Sequence, residues 1–176
     1  CGVIITHAHL DHVGRLPLLV KNGYEGKFYA TPPTIELTEL ILEDALHIMQ
    51  YNHQKFGAEI LYSLEDIAAV MERFKGIEYN QKHALNSDIT FTLHDAGHIF
   101  GSAFIEIEAE GKRLVFSGDV GNINVPILRD TEALPANIDL LVCESTYGNR
   151  VHEDITSREE ILAEVIHEAI RRGGPL

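Results

Sequence analysis

The sequence predicts an α/β fold in which strands and helices share one hydrophobic core. Segments with the alternating pattern of strands occur between segments whose apolar residues recur at helical spacing. The chain has 176 residues, of which 45% are hydrophobic, and this is enough for one sizeable core. No repeat or low-complexity tract marks a boundary between independently folding units. We therefore expect one domain, or a large part of one, built as an α/β or α+β sandwich.

The first elements are two short strands and a long helix. Gly2–Thr6 is apolar and β-branched, which predicts an opening strand, and Lys27–Thr31 predicts a second strand after a glycine-rich turn. Pro32–Pro33 then introduces a segment with apolar residues at helical spacing. We expect this helix to run from Thr34 to about Gln54.

Two further helices are predicted from their N-terminal capping residues. Ser63 and Asp66 form a capping pattern ahead of a helix near Leu64–Phe74. Ser157 and Glu160 form the same pattern for the last helix, which should end before the Gly-Gly-Pro sequence near the end of the chain.

The second half of the chain predicts a sheet. Ile89–Asp95 alternates between apolar and polar residues, which is strand periodicity. Ala103–Glu108 and Lys112–Ser117 flank Glu110-Gly111, a sequence typical of a tight hairpin turn. Ile138–Cys143 is more continuously apolar, so we expect a strand buried on both faces.

Composition limits the possible environments and partners of the protein. The chain has two cysteines and no apolar run near the roughly 20 residues of a membrane span, so we expect a soluble, cytoplasmic protein. Cys143 lies in an apolar run and is predicted to be a buried, inert thiol. The formal net charge of −13 argues against an extended nucleic-acid surface. Bound metal ions would nevertheless concentrate positive charge where a phosphate could bind.

A histidine-rich cluster follows the first predicted strand. His7 and His9 are two residues apart and should project to the same side of an extended segment, and Asp11 and His12 follow where the chain turns. Neutral imidazole nitrogens and carboxylate oxygens are ligands that Zn²⁺ prefers. The alternative, a polar loop whose histidines cap a helix, explains this spacing less well.

The cluster resembles the H-x-H-x-D-H signature of the metallo-β-lactamase superfamily, which implies an αββα fold. His98 and Asp119 end the predicted strands where this family carries its third histidine and its bridging carboxylate. Small residues near them would let loops approach an ion closely; these are Gly97, Gly101, Gly118 and Gly121. The resemblance implies two Zn²⁺ ions, one held by the three motif histidines, one held by the acid and the last histidine of the first cluster, and Asp119 between them. The implied ligands are His7, His9, Asp11, His12, His98 and Asp119.

The family's late histidine ligand to the second metal has no counterpart after Asp119. His152 and His167 are expected to be surface residues. The histidines outside every motif are expected to be ordinary polar residues; these are His47, His53, His83 and His94.

Two further motifs resemble the β-CASP nucleases, a subgroup of this superfamily. Glu144–Arg150 reads ESTYGNR, similar to their E-S-T-Y-G-[ND]-R, and Ala96–Ala103 is similar to their A-G-H-x-x-G-S-A. The resemblance implies a metallo-β-lactamase portion over residues 1–150 and the beginning of a β-CASP domain over 151–176. It also implies that the first strands, most of the β-CASP domain and the final segment of the fold are missing, so this chain alone should be inactive.

The resemblance implies a metal-dependent ribonuclease that hydrolyses phosphodiester bonds with an activated water. Asp11 would accept a proton from that water, and Glu144 would orient a general acid supplied from elsewhere. Single-stranded RNA is the expected substrate, and DNA stays open as an alternative. Two other functions remain as alternatives: a different hydrolase on the same fold, such as a thioesterase or lactonase, and a non-catalytic scaffold subunit of an RNA-processing complex.

Overall fold

The structure is a computed structural model that describes residues 2–150 and 158–174, and it divides into two compact units, Cys1–Glu144 and Ser145–Leu176. The strands are β1 (Gly2–Ile4), β2 (Lys27–Ala30), β3 (Phe74–Gly76), β4 (His83–Ala84), β5 (Ile89–Asp95), β6 (Ala103–Ala109), β7 (Lys112–Phe116) and β8 (Leu140–Val142). The helices are α1 (Leu10–Val13), α2 (Leu16–Lys21), α3 (Pro32–Phe56), α4 (Leu64–Met71) and α5 (Arg158–Arg172).

The first sheet is parallel, with the strand order β1-β2-β3. Helical crossovers separate its strands along the chain, as parallel pairing requires. One face of this sheet packs against α3 and α4 in a core that includes Phe28 from β2, Leu42 from α3 and Val70 from α4, all of which are fully buried. The sequence did not predict α1, α2, β3 or β4, which are all short.

Helix α3 extends about two residues beyond its predicted range at each end. Thr31 caps it, accepting a hydrogen bond from the Thr34 backbone N–H at 3.3 Å, so the two prolines form the first turn. Proline suits that turn because the first N–H groups of a helix have no intrahelical acceptor. The helix ends at Phe56 and is followed by Gly57, whose φ of 69° is left-handed.

Helix α4 has the predicted cap, with reciprocal hydrogen bonds between Ser63 and Asp66. It ends at Met71, earlier than the predicted Phe74, because Phe74 begins β3 and pairs with Phe28 of β2.

The second sheet has the strand order β4-β5-β6-β7-β8, with antiparallel pairs except for β7 and β8, which are parallel. The predicted hairpin between β6 and β7 is confirmed: Glu110 and Gly111 have φ values of 51° and 71°. Positive φ at both central positions is typical of a type I′ turn, which matches the twist of the strands.

The two sheets pack face to face. Leu93 and Ile105 of the second sheet are buried against partly buried Ile4 and Tyr29 of the first. Residues 2–144 therefore form three layers, helices, first sheet and second sheet, and the predicted α/β class is confirmed. None of the described helices has the length and apolar character needed to cross a membrane.

The prediction that Ile138–Cys143 is buried on both faces is wrong. The strand in this region is β8, which pairs with β7 at the edge of the sheet, and its residues are 43–49% exposed. Cys143 is likewise exposed, contrary to its prediction as a buried thiol. An apolar run shows that a strand can be buried, but its position in the sheet determines whether it is.

In the second unit, α5 begins at Arg158, in agreement with the predicted helix. Its predicted cap, Ser157, lies outside the described residues, as does His152. His167 is exposed, as predicted.

Candidate metal centre

The first histidine cluster lies where the chain leaves β1. The segment stays extended through His9, whose φ and ψ are −63° and 146°, and α1 begins at the next residue. The turn into α1 brings His12 back beside His7, with ring centroids 4.1 Å apart. Thr6 contacts His7 Nδ1 through its hydroxyl at 3.1 Å, which leaves His7 Nε2 directed toward the other histidines. The sequence motif does not indicate this role of Thr6.

His98 lies on a tight turn between β5 and β6. The hydroxyl of Ser102 accepts hydrogen bonds from the backbone N–H groups of His98, at 3.0 Å, and Ile99, at 3.2 Å. Ser102 is almost fully buried and fixes the turn that carries His98. Its place in the A-G-H-x-x-G-S-A motif was the available signal for this role.

Asp119 follows β7 on a loop that packs closely against neighbouring backbone. A Cβ atom at Gly121 would lie 1.7 Å from the carbonyl oxygen of Gly97, and one at Gly118, whose φ is 55°, would lie 2.7 Å from Thr6. Both positions therefore require glycine, as the sequence predicted for loops crowded around an ion.

Four of the predicted ligands converge on one point. The donor atoms of His7, His9, His98 and Asp119 all lie within 4.8 Å of one another. His9 Nδ1 lies 3.0 Å from His7 Nε2 and 3.2 Å from His98 Nε2. The ligands of a tetrahedral Zn²⁺ with bonds of about 2.0–2.1 Å are roughly 3.3 Å apart, so these spacings fit a metal ion.

Asp119 contacts a second group through its other carboxylate oxygen. Its Oδ2 lies 3.6 Å from His7 Nε2 and 3.6 Å from His98 Nε2, whereas its Oδ1 lies 3.3 Å from His12 Nε2. His12 Nε2 is in turn 3.6 Å from Asp11 Oδ2. The two oxygens of one carboxylate therefore face two groups of donors.

The surroundings of His7 and His98 favour the neutral form of both imidazoles. Burial, reinforced by nearby His12, lowers the pKa of His7 to about 4 against the opposing effect of Asp119. Burial likewise lowers the pKa of His98. Both imidazoles are then neutral near pH 7, the form that binds metal.

Glu144 lies beside this cluster at the end of β8. Its Oε1 accepts a hydrogen bond of 2.6 Å from the backbone N–H of Val120, the residue after Asp119. Its own N–H donates to the hydroxyl of Ser117 at 3.0 Å. Glu144, Asp119 and His12 line an open groove of about 730 Å³, whose other lining residues are largely apolar.

Two stacked sheets carry histidines after one strand and an aspartate after another, and together these side chains form a group that could hold a metal ion. Residues 2–140 match the metallo-beta-lactamase superfamily domain, and the chain belongs to that superfamily. The resemblance stated from the sequence motifs is confirmed.

Several curated relatives are similar over 98% of this chain. Ribonuclease TTHA0252 of Thermus thermophilus is 38% identical over 173 residues. Transcription termination factor FttA of Pyrococcus horikoshii is 38% identical over 178 residues, and endoribonuclease YSH1 of Candida glabrata is 34% identical over 175 residues. The chain spans 38%, 27% and 23% of the lengths of these three relatives, respectively.

Proposed function

We propose that the protein containing this chain is a metal-dependent ribonuclease that hydrolyses single-stranded RNA at a dinuclear zinc site. The observation that carries the proposal is the position of Asp119, which directs Oδ2 toward His7 and His98 and Oδ1 toward His12. A carboxylate between two groups of metal-binding side chains is suited to hold two ions a few ångströms apart.

The proposed ligand sets follow from these contacts. His7, His9 and His98 would hold the first ion, Asp11 and His12 would contribute to the second, and Asp119 would bind both. When bound, the two ions would supply Lewis acidity toward a phosphoryl oxygen and lower the pKa of a water molecule in the site toward 7.

Two carboxylates are proposed to take part in proton transfer. The side chain of Asp11 is 78% exposed and lies at the solvent side of His12, where it could accept a proton from the attacking water. Glu144 is held one residue beyond Asp119 by the N–H of Val120, so its charge lies at the edge of the site. There it would orient a general acid that protonates the leaving oxygen.

RNA as the substrate is supported by the names of the relatives, two of which are called ribonuclease or endoribonuclease. The proposal includes the start of a β-CASP domain over residues 151–176, supported by the ESTYGNR motif of Glu144–Arg150.

The test uses the full-length protein and two labelled oligonucleotides of one sequence, single-stranded RNA and single-stranded DNA. We expect cleavage of the RNA that is lost on chelation, restored by Zn²⁺ and absent from Asp119→Asn. Cleavage of the DNA alone would contradict the proposal that RNA is the substrate. If neither oligonucleotide is cleaved but a thioester or lactone is hydrolysed, the protein is another hydrolase of this fold and not a nuclease.

A further inference from the structure

A charged cluster lies on the outer face of the second sheet, opposite the face that packs against the first sheet. It consists of His94 on β5, Glu106 on β6, Arg113 on β7 and Glu132 on the loop between β7 and β8. We call these four residues the outer-face cluster. The side chains of His94 and Glu106 are only 15% and 10% exposed. The sequence predicted His94 to be an ordinary polar residue, so its burial among charges requires an explanation.

The imidazole of His94 lies between two carboxylates. His94 Nε2 is 3.0 Å from Glu106 Oε2, and His94 Nδ1 is 3.5 Å from Glu132 Oε2. The ring also stacks on the buried ring of Phe104, with centroids 4.7 Å apart. Arg113 Nε lies 2.7 Å from Glu106 Oε1, as an ion pair without hydrogen-bond alignment. Arg113 therefore offsets the charge of Glu106, while His94 links Glu106 to the loop residue Glu132.

Glu132 fastens that loop to the end of β5. Its backbone N–H donates to the carbonyl oxygen of Asp95 at 2.9 Å, and its Oε1 accepts from the Asp95 N–H at 3.3 Å. The neighbouring Thr131 hydroxyl donates to the carbonyl oxygen of Ala96 at 2.8 Å. The N–H of Gly121 donates to the same oxygen at 2.8 Å.

These contacts join the loop of Asp119 to the turn of His98. Asp119 lies two residues before Gly121, and His98 lies two residues after Ala96. The loop is thus fixed to this turn near both of the facing metal-binding side chains and again at Glu132. Releasing the second attachment would give the loop more freedom and weaken the alignment of Asp119 with His98.

We propose that His94 is a positioning residue, which holds Glu132 and thereby keeps Asp119 and His98 at metal-binding distance. The inference rests on the proposed metal-dependent function, but it concerns metal affinity and not the identity of the substrate. His94 touches none of the proposed ligands and acts through Glu132 and the end of β5.

The experiment measures Zn²⁺ affinity of the full-length protein by competition with a chelator, together with the thermal midpoint of the metal-free form. His94→Ala and Glu132→Ala should each weaken Zn²⁺ binding by about 10-fold, as changes beyond the ligands commonly do. Glu132→Gln is a milder variant that keeps an oxygen for the Asp95 N–H and removes the charge facing His94. Glu108→Gln is the matched control, because Glu108 lies on the same face and pairs with Lys82 and Arg113 but does not contact His94 or the loop. It should change the affinity by less than about twofold.

The double variant His94→Ala/Glu132→Ala separates positioning from general destabilisation. If both residues act through one contact, the Zn²⁺ affinity of the double variant should be about equal to that of the single variant that binds Zn²⁺ less tightly. Unchanged affinity in folded His94→Ala and Glu132→Gln, or a fall only in the thermal midpoint, would overturn the proposal. A parent that binds Zn²⁺ but does not cut RNA would overturn the proposed function alone, whereas one that binds no metal would overturn both.

Discussion

The two groups of side chains on either side of Asp119 differ in burial. His7 is completely buried and the His98 side chain is 24% exposed, whereas the side chains of His12 and Asp11 are 30% and 78% exposed. His7 is also fixed by Thr6, while Asp11 lies on a four-residue helix. His7 is held in place by the surrounding fold and Asp11 is open to water, whereas His98 and His12 differ little in exposure. We name the two groups after these extremes: the buried group is His7, His9 and His98, and the exposed group is Asp11 and His12. We therefore expect the first group to determine metal retention and the second to contribute more to chemistry.

The largest effect should come from removing the buried group. In the full-length protein, His7→Ala combined with His9→Ala should remove at least one zinc per chain and reduce RNA cleavage to background, because two of the three proposed imidazole ligands are lost. Elemental analysis and a cleavage assay measure both results, with the exposed His167→Ala as the control. Two retained zinc ions would show that these histidines are not ligands.

Removing the exposed acid should separate chemistry from metal retention. Asp11→Ala should lower the zinc content by at most about one ion and slow cleavage by roughly 10³-fold, within the range of a lost proton acceptor. The same two assays test this prediction. Loss of both ions would contradict the comparison, since the buried group would then depend on the exposed one.

Glu144→Gln should have a smaller effect that leaves the metal in place. The amide oxygen can still accept from the Val120 N–H, so the loop contact survives while the charge is removed. We expect kcat to fall by about 10²-fold, with zinc content and thermal midpoint nearly unchanged. If the variant cleaves RNA as fast as its parent, or is slower only because it has lost zinc, the role of Glu144 is structural.

The smallest effect concerns the pH dependence of stability in the metal-free protein. Burial lowers the pKa of folded His7 from 6.5 to about 4, so between these values the unfolded chain binds a proton that the folded chain does not. Stability present above pH 6.5 is therefore lost as the pH falls toward 4, by roughly 3 kcal/mol at most from this residue. Denaturant titrations between pH 7 and 4.5 should show a weaker pH dependence for His7→Gln than for the parent. Equal slopes would show that His7 is not buried as a neutral ring.

The sequence predicted the main helices and most of the strands of the second sheet, because local signals define them. The capping box of Ser63 and the glycine turn after Glu110 depend on residues within a few positions of each other, and both formed as expected. The short strands β1, β2 and β8 were predicted from their apolar residues, but α1, α2, β3 and β4 were missed, because two to six residues carry little periodicity.

In the candidate site, too, the features that could be predicted are those defined by residues close together in the sequence. The spacing of His7, His9, Asp11 and His12 was readable because these residues are close in sequence. Thr6 orients His7, and Ser102 orients the turn of His98. Neither residue was predicted to have this role, because the sequence does not show which group a hydroxyl will hydrogen-bond. The charged partners of His94 lie 12 and 38 residues away in the chain, so only strand pairing and the path of the loop bring them together.

By itself, the sequence determined which side chains are available to bind a metal and that they follow strands. The tertiary structure decided that His98 lies 3.2 Å from His9 across 89 residues, and that Asp119 divides its oxygens between two groups. It also decided that β8 is an exposed edge, against the expectation from its apolar residues. Residue type and spacing express local preferences, whereas burial and long-range contacts depend on the order of strands in a sheet and on the loops that cover it.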